Sequence, residues 1–478
     1  MEKKAVIIGA GLGGLLCGEM LSRSGFKVFL VEKQDRPGGC LQTFRRGGMV
    51  FDCGFHYVGG MGPGEPLGRI FDSFSLGGLP FVRMDPECSD EVTIGNDTFC
   101  IPSDGPEALV EKMSGYFPSQ KDNLERYAAF LSKVGDGIFG ALSSPGMNPL
   151  FAIGAKDWLE ETISDPVLRK VLTANAMKME LSPSLPLCTF AQINSSFMMS
   201  SWRLMGGGDS IVTALCDAVR DAGGEIILGN GATRIISDGQ RVTSVELSSG
   251  ETIPCDVAVA DTHPAVAMAL AENTDGVRKI YRRRISSLES TCGMFTVNVV
   301  LKRGSMPYVN HNLFVHREDA DMWNPARGKV ESVMVHFYPE GDHLDIMTPM
   351  DFPEVSRWAD LPLGHRGEGY EEFKRSKAEE CICLAQKRIP GLTEAIDRIY
   401  TSTPLTWRDY TGSADGSAYG VRKDFTAPEQ TLIPSRTPLP GFFLTGQSLN
   451  LHGILGVGMT ALLTCREILG GDAVRIAR

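Results

Sequence analysis

The chain has 478 residues, of which 42% are hydrophobic and 22% charged; this is the composition of folded domains, not of a disordered chain. Its 47 Lys+Arg against 58 Asp+Glu leave a formal charge of −11. Without a basic block there is no surface for a phosphate backbone, which excludes nucleic acid as a main partner.

At about 150 residues per domain, the length predicts two or three domains. Residues 4–8 (KAVII) read as a buried parallel strand. Gly9-Ala10-Gly11-Leu12-Gly13-Gly14 follows, a G-x-G-x-x-G, and then a helix from Leu12 to about Ser24 closed by Gly25. A second strand, 27–31 (KVFLV), ends at Glu32. Each position has a physical task. Gly9 makes the tight turn, Gly11 admits a pyrophosphate to the backbone, and Gly14 lets helix and strand pack closely. The N–H groups of the helix N-terminus, from Leu12 and Gly13, face the phosphates, and Glu32 suits ribose hydroxyls. Glu32 stands close to the expected offset of about 20 residues, and its carboxylate would repel a 2′-phosphate, which argues against NADP at this site. Residues 1–21 are therefore read as strand and helix and not as a signal peptide: glycines interrupt the apolar run and no A-x-A-like site follows. No later stretch reaches the ~18 apolar residues of a membrane span.

After Glu32 come Lys33 and then Gly38-Gly39-Cys40-Leu41. An acid, a basic residue and a GG pair resemble the second phosphate contact of two-domain FAD oxidoreductases, with Cys40 standing where Arg is common. A strand at Met49–Asp52 precedes His56 and Tyr57, and Asp52 is read as a turn cap. Helices are expected over 106–135 and 367–388, and strands near 293–301 and 331–338. Residues 138–158 are apolar with Pro and Gly breaks, read as core helices or as a membrane-facing substrate entrance. Phe197, Met198 and Met199 are read as core or as tunnel lining. A glycine run at 206–208 leads a helix at 209–222, a strand (EIIL) and a further strand from Ala232. Arg282–Arg284 read as a solvated face. Residues 403–422, with Trp407, Tyr410 and Tyr419, read as a long polar loop. Residues 440–446 (PGFFLTG) form an apolar strand into Gly446, followed by Gln447 and by Gly453-Ile454-Leu455-Gly456-Val457, which opens a last helix at about 456–468.

Twelve cysteines are scattered without C-x-x-C or zinc spacing, which predicts reduced thiols and no metal site. His263, His311, His316, His336, His343 and His365 show no ligand spacing and receive no role.

The segments GGCLQTF (38–44), FDCGFHYVGGM (51–61) and LTGQ (444–447) together resemble the phytoene desaturase, carotenoid isomerase and retinol saturase group of flavoproteins, with the retinol saturases nearest. The resemblance implies an α/β chain with a two-domain FAD/NAD(P)-binding Rossmann-like fold (three-layer ββα) and an inserted α+β substrate domain. The implied FAD domain covers 1–65, 200–285 and 435–478, and the substrate domain 66–199 and 286–434. Implied FAD contacts are Gly9, Gly11, Leu12, Gly13, Gly14, Glu32, Lys33, Gly38, Gly39, Cys40, Leu41, Ala232, Gly446, Gln447, Gly453, Gly456 and Val457. His56 is the candidate for flavin contact and proton donation. The implied substrate is an apolar polyene or isoprenoid, whose C–C and C=C bonds need little acid–base machinery once held against flavin N5. NAD(P)H enters as a candidate transient donor. The expected location is cytoplasmic with at most peripheral membrane contact, and the oligomeric state is left open. Two alternatives stand beside this reading: an amine-oxidase-type flavoprotein, and a flavin- or lipid-binding protein without turnover.

Overall fold

The computed structural model describes residues 2–470 except 75, 141–147, 340 and 414. Its centre is a five-stranded parallel sheet in the order Glu225–Ile227, Lys27–Val31, Lys4–Ile8, Val257–Ala260, Phe442–Leu444. The middle strands are apolar without alternation because both faces are covered. On one face lie the helices Leu12–Arg23, Asp209–Asp221 and Gly453–Leu469, with Leu15, Leu16, Ile211, Leu215 and Leu462 in the shared core. On the other lies an antiparallel meander of Ala232–Ser237, Val242–Leu247 and Thr252–Pro254; its Ile235 and Val245 pack on Val6, Ile8 and Ala258. This is the expected three-layer ββα arrangement.

A second, seven-stranded sheet runs Ile396–Ser402, Gly293–Leu301, His343–Met350, Ser332–Phe337, Asn312–His316, Asp90–Ile94, Asp97–Ile101. It is antiparallel except where Asn312–His316 runs parallel to Asp90–Ile94. Side chains alternate between its faces. Val333, Val335 and Ile346 pack with Tyr370, Ala378 and Cys381 of the helix Glu368–Gln386. Met334, Met347 and Phe314 pack on the other face with the helices Pro106–Tyr116, Lys121–Asp136 and Leu187–Met199. The single helix expected over 106–135 is thus two, split around Pro118, whose ring cannot continue a helix.

Two other expectations are corrected. The polar loop expected at 403–422 opens with a helix, Pro404–Thr411, whose N-terminus is capped by Thr403 with Pro404 in the first turn and which ends at Gly412 in the left-handed region. The cysteines are not all reduced: Cys88 and Cys100 form a disulfide. The hairpin that pairs Asp90–Ile94 with Asp97–Ile101 brings them together, and no motif spacing announces it. Part of the apolar segment 138–158 lies outside the described residues; what is described is a short 3-10 turn at Pro149–Ala152 and the helix Ala155–Thr162. The basic run lies in the helix Lys279–Ser286, where Arg283 is exposed while Arg282 turns inward to the Val277 carbonyl. Among the described residues no helix is long and apolar enough to cross a membrane.

Candidate functional site

The glycine-rich loop is built from contacts that leave no room for a side chain. A Cβ on Gly14 would stand 2.1 Å from the Gly9 carbonyl oxygen, so the helix sits directly on the turn. Gly9 has φ 100 and donates its N–H to Val31 O at 2.8 Å. The helix Leu12–Arg23 begins with no side-chain cap and no acid in its first turn. Its first N–H groups therefore lack a helical partner and carry the positive end of the dipole. Gly11, Leu12 and Gly13 line a cavity of about 330 Å³.

Glu32 closes the strand end onto this loop: its carboxylate accepts from Ala10 N at 2.8 Å and Gln34 N at 2.9 Å. Gly38, with φ 117, donates to Ala10 O at 2.7 Å and fixes the second glycine turn beside the first. Gly39, Cys40 and Leu41 reach the cavity wall. Burial pushes the Cys40 thiol up to about 12, so it stays neutral where the related pattern has Arg. Gly9, Gly14, Gly38 and Gly456 pack behind the wall, and Glu32, the exposed Lys33 and Ala232 also stand outside the cavity lining.

The C-terminal segment arrives at the same cavity. Gly446 has φ 96 at the end of Phe442–Leu444. The last helix begins at Gly453, one turn earlier than expected, and its first turn also lacks a side-chain cap and an acid. A Cβ on Gly456 would meet Leu451 O at 2.3 Å, which folds that helix over its own approach loop. Gln447, Gly453 and Val457 line the cavity. The loop is held by Lys423, whose buried ammonium donates to Ser448 O (2.6 Å), Leu449 O (3.0 Å) and Thr431 O (2.8 Å).

Asp261, which sequence reasoning missed, joins the two halves. Its Oδ2 accepts from Gly14 N at 2.7 Å. Its carboxylate oxygens lie 2.7, 2.7 and 2.5 Å from where a Cβ on Gly11, Gly13 or Gly446 would stand. Burial, reinforced by Glu32, pushes its carboxyl up to about 7.

The rest of the wall is largely apolar, with Leu67, Ile193, Met294, Met334 and Met347. His56 stands in it with its Nε2 3.4 Å from Asp345 Oδ2. Asp345 is fully buried and accepts from Asn298 Nδ2 and Tyr338 OH, both at 2.6 Å. The unassigned His336 packs edge-on against His56, with ring centroids 5.2 Å apart. Asp52, expected as a turn cap, instead accepts from Gly208 N at 2.8 Å, and burial pushes its carboxyl to about 7. Trp407 and Tyr419 face the cavity, whereas Tyr410 is 49% exposed. Phe197 lines the cavity; Met198 is buried and lines a smaller one beside it. His263 and Lys178, neither of them foreseen, also reach the main cavity. Among the described residues no group of three His, Cys, Asp or Glu side chains is placed to hold a metal ion.

Two uncapped helix N-termini, flanking glycines without room for side chains, and an acid at the end of the second strand fit a dinucleotide with its phosphates at the first helix. The comparisons with known proteins agree. Residues 7–74 match the family described as NAD(P)-binding Rossmann-like domain. All-trans-retinol 13,14-reductase of Danio rerio is 22% identical over 97% of this chain and 85% of its own length. The human protein of the same name is 23% identical over the same shares. Phytoene dehydrogenase of Streptomyces griseus is 26% identical over 88% of this chain and 85% of its own. Among solved structures, putrescine oxidase matches with TM-score 0.69 at 15% identity, covering 98% of this chain and 99% of that one. An oxidoreductase from Methanosarcina mazei matches with TM-score 0.66 at 17% identity, covering 96% and 99%. The structural matches show a shared fold. In sequence the chain is similar, over 88–97% of its length, to retinol 13,14-reductases and a phytoene dehydrogenase.

Proposed function

We propose that the chain is an FAD-dependent oxidoreductase that acts on CH–CH or C=C bonds of an apolar polyene or isoprenoid. One observation carries this reading: a largely apolar cavity shares its walls with both uncapped helix N-termini. A redox dinucleotide bound there would supply hydride exchange at flavin N5.

The protein's own residues would do the rest. Gly11, Leu12 and Gly13 at the first helix receive phosphate, with Gly9 and Gly14 packed behind them. Glu32 and Lys33 take the adenosine ribose end, with Ala232 beside the adenine. Gly38, Gly39, Cys40 and Leu41 hold the second side of the phosphates. Gly446, Gln447, Gly453, Gly456 and Val457 present the last helix to the ring. In this division residues 1–65, 200–285 and 435–478 form the FAD domain, and 66–199 and 286–434 form the substrate domain. Methionine and aliphatic side chains exclude water and hold the polyene. His56, its side chain 11% exposed and backed by Asp345, would supply the proton for the second carbon of the bond being saturated. NAD(P)H is the proposed transient donor for saturation.

The test is a product analysis. Flavin-loaded protein is incubated anaerobically with a polyene, with and without NADH or NADPH, and the extract is examined by mass spectrometry. A product 2 Da heavier, or lighter in the absence of donor, supports the reading. Unchanged polyene across retinoid and carotenoid substrates, with any donor or acceptor, overturns it.

A further inference from the structure

The main cavity has an annex that holds a buried ion pair. A second cavity of about 30 Å³ adjoins it and shares Lys178 and Phe197 as walls. That volume suffices for one or two water-sized groups. Its other walls mix Asp90, Asn175 and Asn194 with Leu109, Leu131 and Met198.

Lys178 is the charged group at the junction. Its side chain is 3% exposed and its ammonium lies 2.8 Å from Asp90 Oδ2. The Phe197 ring centroid is 4.2 Å from the same nitrogen. Asp90 is well supplied with donors, since Asn175 and Asn312 each give it an N–H at 3.1 Å and Tyr57 OH stands at 3.5 Å. The ammonium is not: it has three donors, and Asp90 takes one.

Charge points the same way. Arg203, linked to Asp90 through Asn312, has only neutral hydrogen-bond partners among the described residues: the carbonyls of His311 and Phe337, the amide oxygen of Asn312 and the His336 ring. Its Nε is buried without a partner. Burial pushes the Lys178 ammonium towards its neutral form and Asp90 opposes it; with Lys178 protonated, Lys178, Arg203 and Asp90 together carry one net positive charge away from water. A buried ion pair is poor value as a stabilising device compared with apolar packing, and a cavity wall of methionine and leucine has no need of one.

We infer that the annex receives the oxygen-bearing end of the substrate, a hydroxyl, carbonyl or carboxylate, with Lys178 as its donor and the apolar chain in the main cavity. The preferred ligand is then an amphipathic polyene and not a pure hydrocarbon. This rests on the function proposed above and narrows its substrate class.

The test compares three ligands of one skeleton on flavin-loaded protein: all-trans-retinol, all-trans-retinoic acid, and the hydrocarbon with methyl in place of hydroxymethyl. Binding is read by quenching of tryptophan fluorescence, Trp407 being in the cavity wall. The wild type binds at least one oxygenated ligand about tenfold or more tighter than the hydrocarbon, the range of a hydrogen bond to a charged group. In the Lys178→Met/Asp90→Asn double variant, which removes the pair and leaves the net charge unchanged, that ratio falls to about one while the hydrocarbon is held as before. Lys178→Arg, which keeps a donor, retains the preference. The ratio is taken within one preparation, so partial unfolding cannot imitate its loss. Equal affinities in the wild type, or a preference that survives in the double variant, overturn the inference and leave the proposed function standing. Failure of all three ligands to bind overturns both.

Discussion

Asp261 makes nucleotide binding sensitive to pH. Its carboxyl is buried against Gly11, Gly13 and Gly446 and is pushed up to about 7. Below that pH the group is neutral and serves as an acceptor for the Gly14 N–H. Above it, a negative charge faces the phosphate site. A phosphate on the amides of Gly11–Gly13 would meet this charge at close range, and two unit charges roughly 5 Å apart repel by about 3 kcal/mol at an effective dielectric of about 20. That is roughly a hundredfold in Kd. The sign follows from linkage. FAD binds better to the protonated form, so affinity is highest below pH 7 and weakens as pH rises, by at most about tenfold per unit for one linked proton. Stability of the nucleotide-free protein has the same sign: a carboxyl whose folded value is raised above 3.8 contributes stability that is lost as pH rises through about 7. Asp261→Asn keeps an acceptor for Gly14 and removes the charge. The assay is FAD affinity from flavin fluorescence on reconstitution, between about pH 5.5 and 9. Wild-type Kd should rise towards a hundredfold over this span, while the variant should stay flat and bind more tightly at the alkaline end. Superimposable profiles would refute the reasoning.

The remaining predictions concern packing, chemistry and redox state. Gly14→Ala places a Cβ 2.1 Å from the Gly9 carbonyl and should cost about 1–3 kcal/mol with loss of FAD; Gly78→Ala, which meets nothing within 4 Å, should change the denaturation midpoint little. Lys423→Met strips an ammonium from three carbonyls, two of them in the approach to the last helix; denaturant unfolding should show a loss of about 2 kcal/mol or more. His56→Gln should retain flavin but slow single-turnover saturation by about 10²-fold or more; a rate within threefold of wild type would remove its proton role. Thiol titration in denaturant should count ten free cysteines without reductant and twelve with it. Replacing Cys88 and Cys100 by Ser should destabilise the protein by about 2–3 kcal/mol, the range for a loop of this size.

What was legible in the sequence was local. The run from Lys4 to Glu32 carries its strand, turn, helix and acid in consecutive residues, each with its own steric or capping signal, and so does Phe442–Val457. Those segments carry three strands of the parallel sheet and two of its helices; the ββα layering was implied by the resemblance. The groups that escaped notice act at long range. Asp261 follows an ordinary buried strand, and only the parallel pairing of Val257–Ala260 with Ala5–Ile8 carries it to Gly14. Lys178 lies in a short 3-10 turn with no pattern, and its partner Asp90 opens a strand of the other sheet. His336 and Asp345 face His56 through the register of adjacent strands, which period-two alternation alone does not reveal. The helix at Pro404–Thr411 does have a signal, Thr403 before Pro404, in a segment whose glycines also mark a loop.

The most direct test of the central claim is the visible spectrum of the purified protein during anaerobic titration, first with NADH and NADPH and then with retinol and a carotene. The account predicts flavin absorbance, retained or restored by added FAD, that bleaches with a nicotinamide and returns with the polyene, or bleaches with the polyene alone. Absence of flavin absorbance even after FAD is added, or a bound flavin that none of these changes, would contradict it.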